Sequence, residues 1–173
     1  MPTVFLDRDG VINERLLNDY VGHADQFRIL PGATTAIKRL NQNGFRTVVI
    51  TNQRGIAIGK TSRDMVNAIH RLLRDEVARA GGTLEEYYLC PHDRHEGCTC
   101  RKPEAGLLDQ AHRKQPVLWA QSYLVGDCDT DILAGLKRQV CTIKVAGPSK
   151  VGAHFECTDL SRAVDFILSH HAP

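Results

Sequence analysis

The stretch Thr3-Val4-Phe5-Leu6-Asp7-Arg8-Asp9-Gly10 decides how this chain is read. Its apolar start predicts a strand, Thr3–Leu6, closed by two carboxylates and a glycine. The arrangement recurs along the chain. Residues 45–50 predict a second strand that ends in Thr51-Asn52-Gln53, residues 84–89 a third, and residues 140–145 a fifth. The fourth, residues 122–125, ends in Gly126-Asp127. Amphipathic segments lie between them. Ala33, Ala36, Ile37 and Leu40 make one helical face, which Asn43-Gly44 closes. Met65, Ile69, Leu72, Leu73, Val77 and Ala80 make another, opened by Thr61 and Asp64 as a capping pair. Pro103 suits the first turn of a helix that buries Leu107, Leu108 and Ala111. Residues 130–136 predict a short helix, and Leu160, Val164, Ile167 and Leu168 mark a closing one, with His170-His171 as a frayed tail. Strands alternating with helices predict an α/β fold, a mostly parallel sheet between helices. Residues 10–30 show no such pattern.

A length of 173 residues, with no linker or repeat, predicts a single domain over residues 1–173. The net charge of +2 offers no basis for a nucleic-acid partner or a membrane surface. The first ten residues hold two Asp and one Arg, so no secretory signal is expected, and no run approaches the ~18 apolar residues of a membrane span. A cytoplasmic monomer with reduced thiols is the expectation for the six cysteines.

In open parallel sheets, ligands bind outside the carboxyl ends of the strands. Asp7, Asp9, Asp127, Thr51, Asn52, Gln53, Arg101 and Lys102 would therefore face one crevice. Carboxylates gathered at one point repel unless a hard cation lies between them, and magnesium takes one or two carboxylates together with phosphate oxygens. The metal and Lys102 would neutralise a phosphoryl group, Thr51 would hydrogen-bond it, and an aspartate would attack it. Each residue alone has a plainer role. A single Asp after a strand caps the next helix, as Asp129 or Asp131 would, and Thr51 or Asn52 alone is a turn residue. Their coincidence at corresponding strand ends points to phosphoryl transfer. A separate loop, residues 90–100, gathers Cys90, Cys98 and Cys100 with His92 and His95, enough for a tetrahedral zinc site of three thiolates and one imidazole.

With these residues in hand, the chain resembles the haloacid dehalogenase superfamily of phosphatases. Asp7-Arg8-Asp9-Gly10, Thr51, Lys102 and Gly126-Asp127, with Asp131 four residues on, match its four motifs in order. The resemblance implies a Rossmann-like, capless fold. It also implies that Asp7 is nucleophile and magnesium ligand, and that Asp9 is general acid and base and ligates magnesium through its backbone carbonyl. Asp127 would be the third magnesium contact, supported by Asp131, and Thr51 and Lys102 would hold the phosphoryl group. The loop spacing is similar to the Cys-x-His…Cys-x-Cys zinc loop of the histidinol-phosphate and heptose-bisphosphate phosphatase branch. That likeness selects Cys90, His92, Cys98 and Cys100 over His95 as ligands of a structural zinc.

Residues 51–59, Thr-Asn-Gln-Arg-Gly-Ile-Ala-Ile-Gly, resemble the heptose side of the branch, as do Asn13 and Asp19-Tyr20-Val21. The implied reaction removes the 7-phosphate of D-glycero-D-manno-heptose 1,7-bisphosphate through an aspartyl-phosphate. The implied substrate-binding residues are Thr51, Asn52, Gln53, Arg54, Arg101 and Lys102. Three positions depart from the pattern: Arg54 stands for Ser, Ile58 for Arg and Cys128 for Lys, with Lys60 or Arg63 as candidate replacements for a lost cation. Histidinol phosphate or another small phosphomonoester is the alternative substrate. A non-catalytic phosphometabolite-binding module is the alternative of another class, and the intact Asp7/Asp9 pair weighs against it.

Overall fold

Six strands build the sheet of the computed structural model, which describes residues 1–17 and 19–171: β1 (Thr3–Leu6), β2 (Arg46–Asn52), β3 (Glu86–Cys90), β4 (Tyr123–Gly126), β5 (Cys141–Val145) and β6 (Phe155–Cys157). All pairings are parallel, and the spatial order is β3-β2-β1-β4-β5-β6. The helices are α1 (Ala33–Gln42), α2 (Arg54–Ala57), α3 (Arg63–Arg79), α4 (Gly106–Lys114), α5 (Asp129–Leu136) and α6 (Leu160–His170). Among the described residues, no helix is long and apolar enough to cross a membrane.

Strand alternation sends neighbouring residues into two cores. Val4, Leu6, Val49, Val125 and Ile143 pack with α1, α3 and α6 on one face, while Phe5, Val48, Ile50 and Leu124 pack with α4 and α5 on the other. Both faces of the central strands are therefore covered, which is why β1 and β4 are buried throughout. The sheet order turns at β1, flanked by β2 and β4, and a crevice opens there at the carboxyl ends.

Several elements differ from expectation. The cap of α3 is Ser62, whose side chain accepts from the Met65 backbone N–H, while the Thr61 hydroxyl donates to the Gly22 carbonyl. The buried stripe of α3 is Val66, Ile69, His70, Leu73 and Val77, whereas Leu72 is exposed. Helix α4 starts at Gly106, and Pro103 lies in the turn ahead of it. Gly106 donates to the Thr99 carbonyl at 3.2 Å, and a Cβ there would sit 2.3 Å from that oxygen, so the zinc loop's end sets where this helix begins. Helix α2 and strand β6 were not foreseen, being four and three residues long. His170 belongs to α6, and the His171 ring packs on Phe45 at 4.4 Å, so this end of the chain is docked.

Candidate active site and zinc loop

Asp7 follows β1 directly, its N–H held by the Val125 carbonyl of β4 at 3.0 Å. Lys102 reaches it from the far side of the zinc loop. Its Nζ lies 2.7 Å from Asp7 Oδ1 and 2.6 Å from Asp131 Oδ1, and donates to the Ile50 carbonyl at 2.9 Å. Asn52 clamps the lysine's backbone from both sides. Its Nδ2 donates to the Lys102 carbonyl at 3.0 Å, and its Oδ1 accepts from the Lys102 N–H at 3.1 Å. Gln53 Nε2 donates to Thr51 Oγ1 at 2.8 Å and to Asp9 Oδ2 at 3.0 Å. Gly10 has φ +93°, and a Cβ there would lie 2.3 Å from Asp127 Oδ2. Only glycine lets the turn after β1 close on β4's carboxylate. Asp7, Asp9, Thr51, Asn52, Gln53, Arg54, Arg101, Lys102, Asp127 and Asp131 thus line one open cleft of about 1280 Å³.

The charges in the cleft do not balance. One buried lysine serves two buried carboxylates. Burial pushes the Asp7 carboxyl up to about 8 even against Lys102, and the nearby Asp131, Asp127 and Asp9 push the same way. Asp127 Oδ1 is buried without a hydrogen-bond partner among the described residues. An unpartnered carboxylate oxygen beside an underneutralised aspartate is a donor set for a hard divalent cation, and Asp7 and Asp127 are the residues that fit it. Asp131 has other duties. It grips Lys102, and its Oδ2 accepts from the Cys128 N–H at the start of α5.

Asp9 is held differently. Arg8, fully buried, gives it a two-pronged ion pair, Nη2 lying 2.9 and 3.0 Å from the two oxygens, and Asn13 Nδ2 donates at 3.0 Å. Burial alone would raise this carboxyl, but the Arg8 charge and the hydrogen bonds from Asn13, Arg8 and Gln53 outweigh it, so it sits below the usual range. Behind Arg8 stands His70, buried and 3.5 Å from Arg8 Nη1. Burial, with Arg8's charge, lowers its pKa to about 3, which keeps the ring neutral.

In the zinc loop, four ligand atoms lie within 4.8 Å of one another, from Cys90, His92, Cys98 and Cys100. Neighbouring separations are 3.2 Å for His92 Nδ1 to Cys100 Sγ, 3.5 Å for His92 Nδ1 to Cys90 Sγ, and 3.6 Å for Cys98 Sγ to each of Cys90 and Cys100. Zinc with bonds of about 2.0–2.3 Å in a tetrahedron needs ligand spacings of roughly 3.5–3.8 Å. The set fits zinc, and His95 is exposed outside it.

The family model described as polynucleotide kinase 3 phosphatase matches residues 5–173. A D-glycero-beta-D-manno-heptose-1,7-bisphosphate 7-phosphatase of Rhodopseudomonas palustris is 39% identical over 175 residues, covering 96% of this chain and 90% of that one. The alpha-heptose enzyme of Mycobacterium tuberculosis is 39% identical over 158 residues, 86% of this chain and 82% of that one. The crystal structure of D,D-heptose 1,7-bisphosphate phosphatase from B. bronchiseptica, complexed with magnesium and phosphate, superposes with a TM-score of 0.88. It shares 31% identity and covers 98% of this chain and 99% of that one. The chain belongs to this family, the haloacid dehalogenase-like phosphatases. It is a phosphoric monoester hydrolase by that membership.

Against the haloacid dehalogenase-like frame, several neighbours of the motifs escaped the sequence reading. Arg54 is no free cation. Its Nε and Nη2 pair with Asp93 at 2.5 and 3.3 Å, and its Nη1 meets Tyr20 Oη at 3.5 Å. Arg101 Nη1 donates to the His92 carbonyl at 3.2 Å, which ties it to the zinc loop. Lys60 and Arg63 do not line the cleft, so neither replaces the cation missing at Ile58. His70 carried a readable signal. Val66, His70, Leu73 and Val77 recur at helical spacing, which marks a histidine on the buried face.

Proposed function

We propose that this chain removes the 7-phosphate of D-glycero-D-manno-heptose 1,7-bisphosphate, with Asp7 as nucleophile. The reading rests on one observation above all: Asp7, Lys102, Thr51, Asp9 and Asp127 converge in one cleft with a cation-shaped charge deficit. The heptose substrate rests on the relatives' shared activity. Magnesium bound between Asp7, Asp127 and the Asp9 backbone carbonyl would supply positive charge for the phosphoryl oxygens. Lys102 and the Thr51 hydroxyl bind those oxygens, and Asn52 fixes Lys102 for the task. Asp7 Oδ attacks phosphorus and the bond to the sugar oxygen breaks, leaving an aspartyl-phosphate. Asp9 protonates the departing sugar oxygen, then takes a proton from the water that attacks the aspartyl-phosphate, releasing inorganic phosphate. In the free protein Asp9 is held ionised by Arg8, and an arriving phosphate dianion pushes its pKa back up toward the protonated form.

We read residues 1–173 as one domain, acting as a monomer in the cytoplasm. The single continuous sheet supports the first point and the free cysteines the last.

The test is turnover of a panel under magnesium: both anomers of the heptose bisphosphate, sugar monophosphates and histidinol phosphate. A clear kcat/KM preference for a heptose bisphosphate is expected. Equal or better turnover of histidinol phosphate sinks the substrate assignment. Asp9→Asn should cost about 10²–10⁴-fold in kcat through lost proton transfer. Near-native turnover in that variant would remove Asp9 from the reaction.

A further inference from the structure

Arg15 has no part in the chemistry above, yet it is tied to it. It lies in the segment between β1 and α1, far from Asp127 in sequence, and its Nη1 donates to Asp127 Oδ2 and to Cys128 Sγ, both at 2.9 Å. The side chain is 53% exposed, against 9% for Asp127. An exposed ion pair of this kind adds little to stability, so the fold does not account for it. One nitrogen makes both contacts. Arg15 Nε and Nη2 have no protein acceptor among the described residues, and they form the planar fork that pairs with phosphate through two parallel hydrogen bonds.

The other cations of the cleft are differently placed. Lys102 is shared by Asp7 and Asp131 deep in the site, and Arg54 gives its own fork to Asp93. Arg94 lines the mouth, but its side chain makes no hydrogen bond among the described residues that would fix its position. Arg101 is fixed through Nη1 to the His92 carbonyl, on the zinc-loop side. Arg15 is the cation fixed beside Asp127 and Cys128 with its fork open. It also stands on the outer side. The phosphoryl-binding groups Asp7, Thr51 and Lys102 are buried, while the Arg15 fork opens to solvent beside them. A group bound there belongs to the part of the substrate that stays outside the phosphoryl pocket.

We propose that Arg15 is a specificity-determining residue, which receives the phosphate of a bisphosphorylated substrate that is not hydrolysed. This inference rests on the sugar-bisphosphate reading. Cys128 next to it brings no charge, so the fixed cation on this side of the cleft comes from the segment after β1.

Calorimetry on the magnesium-loaded protein tests the assignment. The two probes are heptose 1-phosphate, which keeps the unreacted phosphate, and inorganic phosphate, which reports only the phosphoryl pocket. In Arg15→Gln, affinity for heptose 1-phosphate should fall about 10–100-fold, as expected for loss of a charge-assisted contact, while inorganic phosphate weakens by less than about threefold. KM for the bisphosphate should rise more than kcat falls. Arg15→Lys, which keeps the charge and loses the fork, should recover part of the affinity. Arg15 is exposed, so both variants should melt near the native midpoint. Equal weakening of the two probes, or no weakening of either, overturns the proposal. The two levels of inference fail separately. A native protein that hydrolyses p-nitrophenyl phosphate but no sugar bisphosphate removes the substrate reading and this one with it. A bisphosphate preference that survives unchanged in Arg15→Gln removes only Arg15.

Discussion

Asp7→Asn should abolish turnover of every phosphomonoester, a loss of about 10⁴-fold or more, and should also stabilise the metal-free protein at alkaline pH. The two effects have one source. Asp7 is buried in a cluster where Lys102 alone faces both it and Asp131, so its folded pKa is raised from 3.8 to about 8. A carboxyl raised in this way holds its proton in the folded chain while the unfolded chain has lost it. Stability therefore falls as pH rises from about 4 and levels off above about 8. The amide of Asn mimics the neutral acid at all pH values, so the variant escapes that decline. It cannot attack phosphorus, and it brings no charge to a cation. Thermal midpoints of native and variant protein without metal should converge near pH 4 and separate toward pH 8, the variant melting higher. Magnesium should raise the native midpoint far more than the variant's. A variant that melts lower than native at pH 8, or that retains turnover, contradicts this account of the site.

The parts of this molecule that the sequence made legible are those where chemistry and periodicity coincide. Apolar runs stop at Asp7, Thr51 and Asp127 because each strand leaves the two-sided core at that point, and the polar residue beyond it enters the crevice. The zinc ligands were legible because four donors within eleven residues can meet without any knowledge of the rest of the fold. Pairings between distant segments were hidden. Arg54 reads as a substrate cation until Asp93, 39 residues on, is seen to hold it. Nothing in the sequence places Arg15 on Asp127, 112 residues away. Near the two ends of residues 10–30, backbone bridges form that need no period. Asn13 pairs with Asp9 and with Ile29, and such contacts leave no pattern in residue type. The α3 stripe was misplaced because Met65 and Leu72 are apolar and His70 is not, while the buried face is set by the neighbours of Arg8 and Tyr87.

Removal of zinc should cost activity through Lys102 and not through any chemistry of the metal. Cys98 and Cys100 close the loop immediately before Arg101 and Lys102, and Thr99 receives the first hydrogen bond of α4 through Gly106. Cys90 ends β3, and its carbonyl accepts the Gln53 N–H at 2.8 Å, so the same loop also braces the residue that bonds Thr51 and Asp9. Without a cation, burial pushes the Cys90 thiol up, and the donors lose the charge that gathers them. Structural zinc in small sites binds with an apparent ~10–16 kcal/mol, and part of that free energy orders a loop with little apolar surface of its own. Cys98→Ser should therefore lower zinc retention and the thermal midpoint together. At about 2–4 °C per kcal/mol for a chain of this size, a loss of several kcal/mol means a fall of about 10 °C or more. Turnover should drop with it, and excess magnesium should not restore it, because the displaced group is Lys102 and not the cation beside Asp7. Elemental analysis of native and variant protein, with melting curves and rates on the same preparations, checks all three. Native protein that carries no zinc and takes up none on refolding would refute the site. A Cys98→Ser variant that loses zinc yet keeps full activity would show that Asn52, Asp7, Asp131 and the Ile50 carbonyl hold Lys102 without the loop.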